Sequence, residues 1–200
     1  MLDTTSSLQP RAKGGVTLSS KTRDGRSVID GLHQCGCLRV LFPHVGRALD
    51  AVLINTSGGV TGGDDIRVAA QVGAASAMTL TTQAAERAYR AQPDQTGRIS
   101  TDLSVGAGGR LNWLPQEIIL FDGCNLSRSL DVDLADDAQA LIVEPVVFGR
   151  TAMGEVLTDA VFHDRINITH LGQPLYRDAV RLSGDIAAQL THAAIGQGMT

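Results

Sequence analysis

Short runs that alternate apolar and polar residues, cut at close intervals by Asp-Gly or glycine clusters, restrict this chain more than any other feature of its sequence. Ile66, Val68, Ala70 and Val72 fall on one side of such a run, with Asp65, Arg67 and Gln71 on the other. That two-residue period belongs to a strand with one buried face. It returns at Met78 and Leu80 against Thr79 and Thr81, and at Ile99, Thr101, Leu103 and Val105 against Ser100, Asp102 and Ser104. Leu130, Val132 and Leu134 alternate with Asp131 and Asp133, and Ile166 and Ile168 with Asn167 and Thr169. Turn signals separate these runs at Asp24-Gly25, Asp94 to Gly97, Gly106 to Gly109, Asp122-Gly123 and Leu171-Gly172. They supply the positive φ values that tight connections need. Strands joined this closely usually run antiparallel, so the expected fold is mainly β. It is an antiparallel-rich sandwich or roll, or a β-solenoid-like single domain, with about two short helices. A Rossmann-type sheet is disfavoured, and no internal repeat, low-complexity tract or linker is visible.

Two segments read as helix. In "TTQAAERAYRAQP", Thr82 caps a run of good helix formers, Glu86 and Arg90 stand at i,i+4, and Pro93 ends it. In "GDIAAQLTHAAIG", Asp185 serves as N-cap and Gly196 as the C′ residue. Residues 1–15, polar with Pro10 and Gly14-Gly15, read as a flexible tail, leaving 16–200 as one domain.

The 17 basic and 21 acidic residues give a net charge of -4, and no Lys/Arg cluster recurs at short spacing, which argues against a nucleic-acid partner. There is no signal-like apolar region and no apolar run of membrane-spanning length. The expectation is no membrane and a cytoplasmic location. Three cysteines, Cys35, Cys37 and Cys124, are an odd number in a chain that needs no staples, so free thiols are expected.

The stretch "INTSGGVTGGDD" resembles a phosphate cradle only in its glycines. Gly58 and Gly63 have the Walker spacing, but Asp64 and Asp65 occupy the places of Lys and Ser/Thr. Carboxylates there repel a phosphate and suit a cation or a partner's basic group. "VGAGGRL" is a hairpin turn rather than a dinucleotide fingerprint, since Leu111 stands where the last glycine belongs. His33, Cys35, Cys37 and His44 have the chemistry of Zn or Ni ligands, but their spacing completes no four-ligand set. Cys35 and Cys37 are therefore expected on one face of a strand, buried and unliganded. His163 and His170, seven apart, fall on opposite faces of one strand, one in the core and one at the surface. No nucleophile elbow occurs, and Cys124 has no neighbouring base. Glu117, Asp122, Glu144 and Glu155 lie near strand ends and are expected as solvated or ion-paired surface acids.

Taken together, "INTSGGVTGGDDIRV" (54–68), "LTTQAAERAYR" (80–90), "LNWLPQEIILFDG" (111–123) and "VEPVVFGRTAMGE" (143–155) resemble the urease accessory protein D family, also called H. The resemblance implies a non-enzymatic urease maturation factor with a mainly β fold and two helices. Its partners would be the urease apoprotein and accessory proteins F and G. It would hold no permanent cofactor, with Ni²⁺ in transit, for which an internal water-filled tunnel has been proposed in the family. Carried over by motif, Asp64, Asp65, Glu117 and Glu155 are candidates for a transient nickel path. Thr81, Thr82, Gln83 and Arg150 are candidates for path lining or partner contact. Oxygen donors hold Ni²⁺ weakly enough to release it, whereas a His/Cys cage would retain it. Members of the family are longer, so this chain is expected to lack a C-terminal portion. The competing readings are a metal-dependent enzyme built on His33, Cys35, Cys37 and His44, and a plain β-rich interaction module with no metal role.

Overall fold

A computed structural model describes residues 10–43 and 46–192. The alternating runs become strands that wind as a three-sided solenoid. β1 (Lys13–Arg23) folds back as β2 (Arg26–Gly36), and β3 (Leu38–Leu41) and β4 (Leu49–Asn55) form a second hairpin pair. Three coils follow, each laying one strand on each side. They are β5 (Asp65–Val72), β6 (Ala77–Thr82) and β7 (Glu86–Ala88); β8 (Gly97–Val105), β9 (Arg110–Leu114) and β10 (Ile118–Leu120); and β11 (Asn125–Leu134), β12 (Gln139–Ile142) and β13 (Val146–Phe148). β14 (Ala160–His170) and β15 (Gln173–Gly184) close the first side before the short helix α1 (Ile186–Leu190). The sides are a seven-stranded sheet ordered β15-β14-β11-β8-β5-β1-β2, a five-stranded sheet β12-β9-β6-β4-β3 and a three-stranded sheet β13-β10-β7.

The solenoid-like reading is the one the structure takes. Among the described strands, antiparallel pairing is confined to β1–β2, β3–β4 and β14–β15, and every other strand pair is parallel. The glycine turns after β8 and β10 steer the chain onto the next side instead of reversing it, so neighbours in space are a whole coil apart in sequence. Asp65, Arg98, Ser127 and His163 occupy one position of successive coils. The fold therefore has an internal repeat that the sequence does not display, because a coil position demands only an inward or outward side chain.

Inward residues stack along the coil axis. Val68, Thr101 and Leu130 form one ladder and Ala70, Leu103 and Val132 the next, facing Leu80, Trp113, Ala88 and Leu120 from the other two sides. Each large apolar side chain so enclosed contributes about 1.5–3 kcal/mol.

The helix expected from Thr82 to Pro93 is absent; this segment holds β7 instead. Its helix-forming composition is overridden by parallel pairing with β10, and the expected Glu86–Arg90 pair does not form. Glu86 accepts from Asn55 Nδ2 (3.0 Å), and Arg90 Nη2 lies 2.7 Å from Asp122. The second helix is present as α1, with the Asp185 carboxylate accepting from the Ala188 N–H at 2.9 Å; Gly196 lies outside the described residues. β1 starts at Lys13, inside the stretch expected as a tail. Among the described residues no helix is long and apolar enough to cross a membrane.

Candidate functional site

Alternation places Arg128 and Asp164 inside the solenoid, where the corner after β12 brings Glu144 to them. In the ladder Gly14–Ile66–Ile99–Arg128–Asp164 the first positions are small or apolar, and the last two carry opposite charges. Arg128 is buried, with Nη1 2.7 Å from Glu144 and Nη2 2.5 Å from Asp164. Trp113 Nε1 donates to the second Glu144 oxygen, and the guanidinium stands 5.7 Å above the Phe162 ring. Burial pushes the Glu144 carboxyl above its ordinary range, with Arg128 opposing the rise. The Asp164 and Glu144 partnerships hold Arg128 firmly protonated despite its burial.

Glu86, the first residue of β7, also turns inward. Burial raises its pKa, opposed by the hydrogen bond from Asn55. Between these two polar centres runs a cavity of about 360 Å³ that takes lining from every coil. Leu53 and Asn55, then Ile66 and Thr82, then Ile99 and Trp113, then Arg128 and Glu144 face it in turn. Exposed Gln83 and Gln116 stand where it meets the surface. Its charged lining is the two carboxylates of Glu86 and Glu144 facing the guanidinium of Arg128, with the exposed Arg87 also bordering it.

The glycine-rich loop packs beside this cavity. Gly59 has φ +152°, and a Cβ there would fall 2.3 Å from the Tyr89 ring, so the loop can close only without a side chain. Val60 then bridges to Ala88, continuing the third sheet.

A model of the UreD urease accessory protein family matches residues 12–200. The chain belongs to the UreD family. It is 56% identical over 187 residues to the urease accessory protein UreD of Ruegeria sp. (strain TM1040), covering 93% of this chain and 63% of that relative. It is 53% identical over 190 residues to the UreD of Roseobacter denitrificans, covering 95% and 70%. Against the UreD of Bradyrhizobium diazoefficiens the identity is 44% over 189 residues, covering 94% and 68%. The chain thus spans roughly two thirds of the length of these relatives.

In this UreD-family chain the residues singled out by motif fall into three separate places. Asp64 is buried at the end of the loop, and both its oxygens are engaged. Oδ1 accepts from Ala12 N at 2.7 Å and Oδ2 from Thr61 N at 2.8 Å, tying the loop to the start of β1. Asp65 lies on the outer face, paired with Arg67 at 2.6 Å, which holds its carboxyl below the usual range. The TTQ segment borders the cavity. The Thr81 hydroxyl donates to Leu114 O (2.7 Å), Thr82 Oγ1 accepts from Gln116 N (2.9 Å), and the Gln83 N–H donates to Leu53 O. Glu117 is half-buried at the neighbouring corner, its carbonyl accepting from Glu86 N.

Arg150 and Glu155 form the third place. They pair at 2.8 Å, with the guanidinium 4.3 Å above the Phe121 ring, and the Glu155 carboxyl is pulled down to about 2, chiefly by Arg150. Among the described residues no group of three or more His, Cys, Asp or Glu side chains is arranged to hold a metal ion.

Several expectations are corrected. Glu144 is a buried interior acid, because the corner between β12 and β13 turns it toward Arg128. Glu86 escaped notice because its segment reads as helix; the only signal was its place in a period-two run with Ala88. Cys35 is exposed and Cys37 half-buried, so neither is a core thiol. They do not share a strand face, because Gly36 between them adopts φ +60° and ends β2. Cys124 is buried, and burial pushes its thiol up to about 11. His163 and His170 do take opposite faces of β14, but both are half-buried. His33 is exposed, and His44 lies outside the described residues.

Proposed function

We propose that this chain acts in urease maturation as a non-catalytic scaffold that binds the urease apoprotein and accessory proteins F and G. On this reading it passes Ni²⁺ toward the urease active site. The observation that carries the proposal is the axial cavity, in a UreD-family chain, lined by Glu86 and Glu144 and bordered by the Thr82 and Gln83 motif. Carboxylate, amide and hydroxyl oxygens bind Ni²⁺ through weak, exchangeable contacts, so the ion gains enough to enter and not enough to stay. Arg128 sets the balance inside by neutralising part of the acidic lining. Asp65, Glu117 and Glu155, nearer the surface, are where the ion or a partner's basic group would first be met. Asp64 shapes the loop that leads into Asp65.

The test is co-expression with the urease subunits and accessory proteins F and G, measuring nickel per urease and the composition of the purified complex. Glu86→Gln keeps an acceptor for Asn55 and removes a carboxylate whose ionisation is opposed by burial, so the fold is retained. Nickel loading should fall several-fold while the complex still assembles. Unchanged nickel content in this variant would defeat the interior route. Failure of the unaltered chain to co-purify with its partners would defeat the scaffold role.

A further inference from the structure

We propose that the outer face of the seven-stranded sheet is a self-complementary docking surface for a second copy of this chain. The proposal does not rest on the nickel route, which concerns the opposite face of the same strands. Outward positions divide by charge along the strand direction. Toward the strand starts lie Arg67, Arg98, Arg165 and His163, at equivalent or next-but-one positions of successive coils. Toward the strand ends lie Asp102, Asp131 and Asp133. A concavity of about 370 Å³ over the first half is lined by Arg98, His163 and Arg165, and one of about 490 Å³ over the second by the three aspartates.

Local pairing does not cancel this division. Arg67 is bound to Asp65 and Arg165 to Asp131. The side chains of Arg98, His163 and Asp102 have no hydrogen-bonded or ion-pair partner among the described residues. Asp102 stands directly opposite Asp131 across the β8–β11 ladder, a like-charge pairing that costs stability in an isolated sheet. The cation in the acidic half, Arg177, is turned to Asn167 at 3.0 Å. Between the charges the outward residues are small: Ala69, Ser100, Ser104, Ser127 and Ser129. A second sheet can therefore approach to about 10 Å.

Seven strands spaced about 4.8 Å apart and about eight residues long make a face of roughly 750 Å². That matches the roughly 800 Å² per partner of a standard interface. A two-fold axis lying between the sheets and running across the strands sets the basic half of each copy on the acidic half of the other. The contact is polar, so it is salt-sensitive rather than permanent.

Sedimentation velocity on the purified chain tests this. At about 0.1 M salt, where the Debye length is about 10 Å, the chain should dimerise, and at about 1 M, where it is about 3 Å, the dimer should dissociate. Two triple variants, D102K/D131K/D133K and R67E/R98E/R165E, should each be monomeric at low salt, and their equimolar mixture should restore the dimer. Circular dichroism checks that both keep their strand signal; if one does not, the single variants D102K and R98E carry the same readout, each weakening association at least threefold. A chain that is monomeric at low salt, or a triple variant that still dimerises alone, overturns the proposal. So does a monomeric chain whose face variants lose co-purification with the urease subunits, since the face would then serve a different partner.

Discussion

Single side chains inside this fold are held in place by charge as much as by packing. Arg128 is withdrawn from water among three aromatic or acidic neighbours, and removing one partner of such a buried pair typically costs about 3–5 kcal/mol because the other charge is left uncompensated. Glu155 illustrates the opposite surroundings. It sits near the surface, accepts from the Arg150 guanidinium and from the backbone N–H groups of Arg150 and Asp122, and titrates at about 2 instead of the ordinary 4.5. A depressed carboxyl contributes stability that is fully present above its unfolded value and is lost as the pH falls through its folded value. The difference in urea midpoint between this chain and Glu155→Gln should therefore be constant from neutral pH down to about 4.5 and shrink toward zero near pH 2. A difference that stays flat across that window would show that the Arg150 pairing contributes nothing to the fold. The acidity of Glu155 was readable only as a residue type; its partner is five residues away in sequence, yet nothing in the spacing announces that Arg150 turns onto Phe121 and meets it there.

At the level of elements, local preference and fold disagree in one segment and agree in most others. The runs at 65–72, 97–105 and 125–134 were legible because inward and outward residues obey a strict period of two, which survives whatever the strand pairs with. The segment around Glu86 was not, because Gln, Ala, Glu and Arg favour helix by only a few tenths of a kcal/mol each, less than the ladder to β10 and the bridge to Val60 provide. Gly36 is the clearest junction set by backbone geometry. Its φ is +60°, and a Cβ there would lie 1.8 Å from the carbonyl oxygen of Lys13. Gly36→Ala should lower stability by at least ~2 kcal/mol, read as a drop in the denaturant midpoint, because both the left-handed backbone and the collision must be accommodated. The neighbouring Cys35→Ser, on an exposed position, should leave the midpoint within about 0.5 kcal/mol of the parent.

For the whole molecule, stability in a solenoid is shared between adjacent coils. β5, β8 and β11 have a strand on both sides, whereas β2 and β15 are edges of the seven-stranded sheet, and β15 is exposed along nearly its whole length. Amide exchange followed by mass spectrometry should therefore be slowest in β5, β8 and β11 and fastest in β2 and β15. Uniform protection across all strands would contradict a coil-by-coil structure. By itself the sequence determined that this chain is mainly β, which residues face inward along each strand, that the acidic glycine-rich loop is no phosphate cradle, and which family its motifs resemble. Only the tertiary structure decided that the strands pair in parallel across coils, that the Glu86 segment is a strand, and that Arg128, Glu144 and Asp164 meet beside a cavity that Glu86 also lines. The reason is physical: inward or outward is a local property of a pleated backbone, whereas pairing partners a full coil apart are chosen by where the turns send the chain, and side chains far apart in sequence become neighbours only once those coils have stacked.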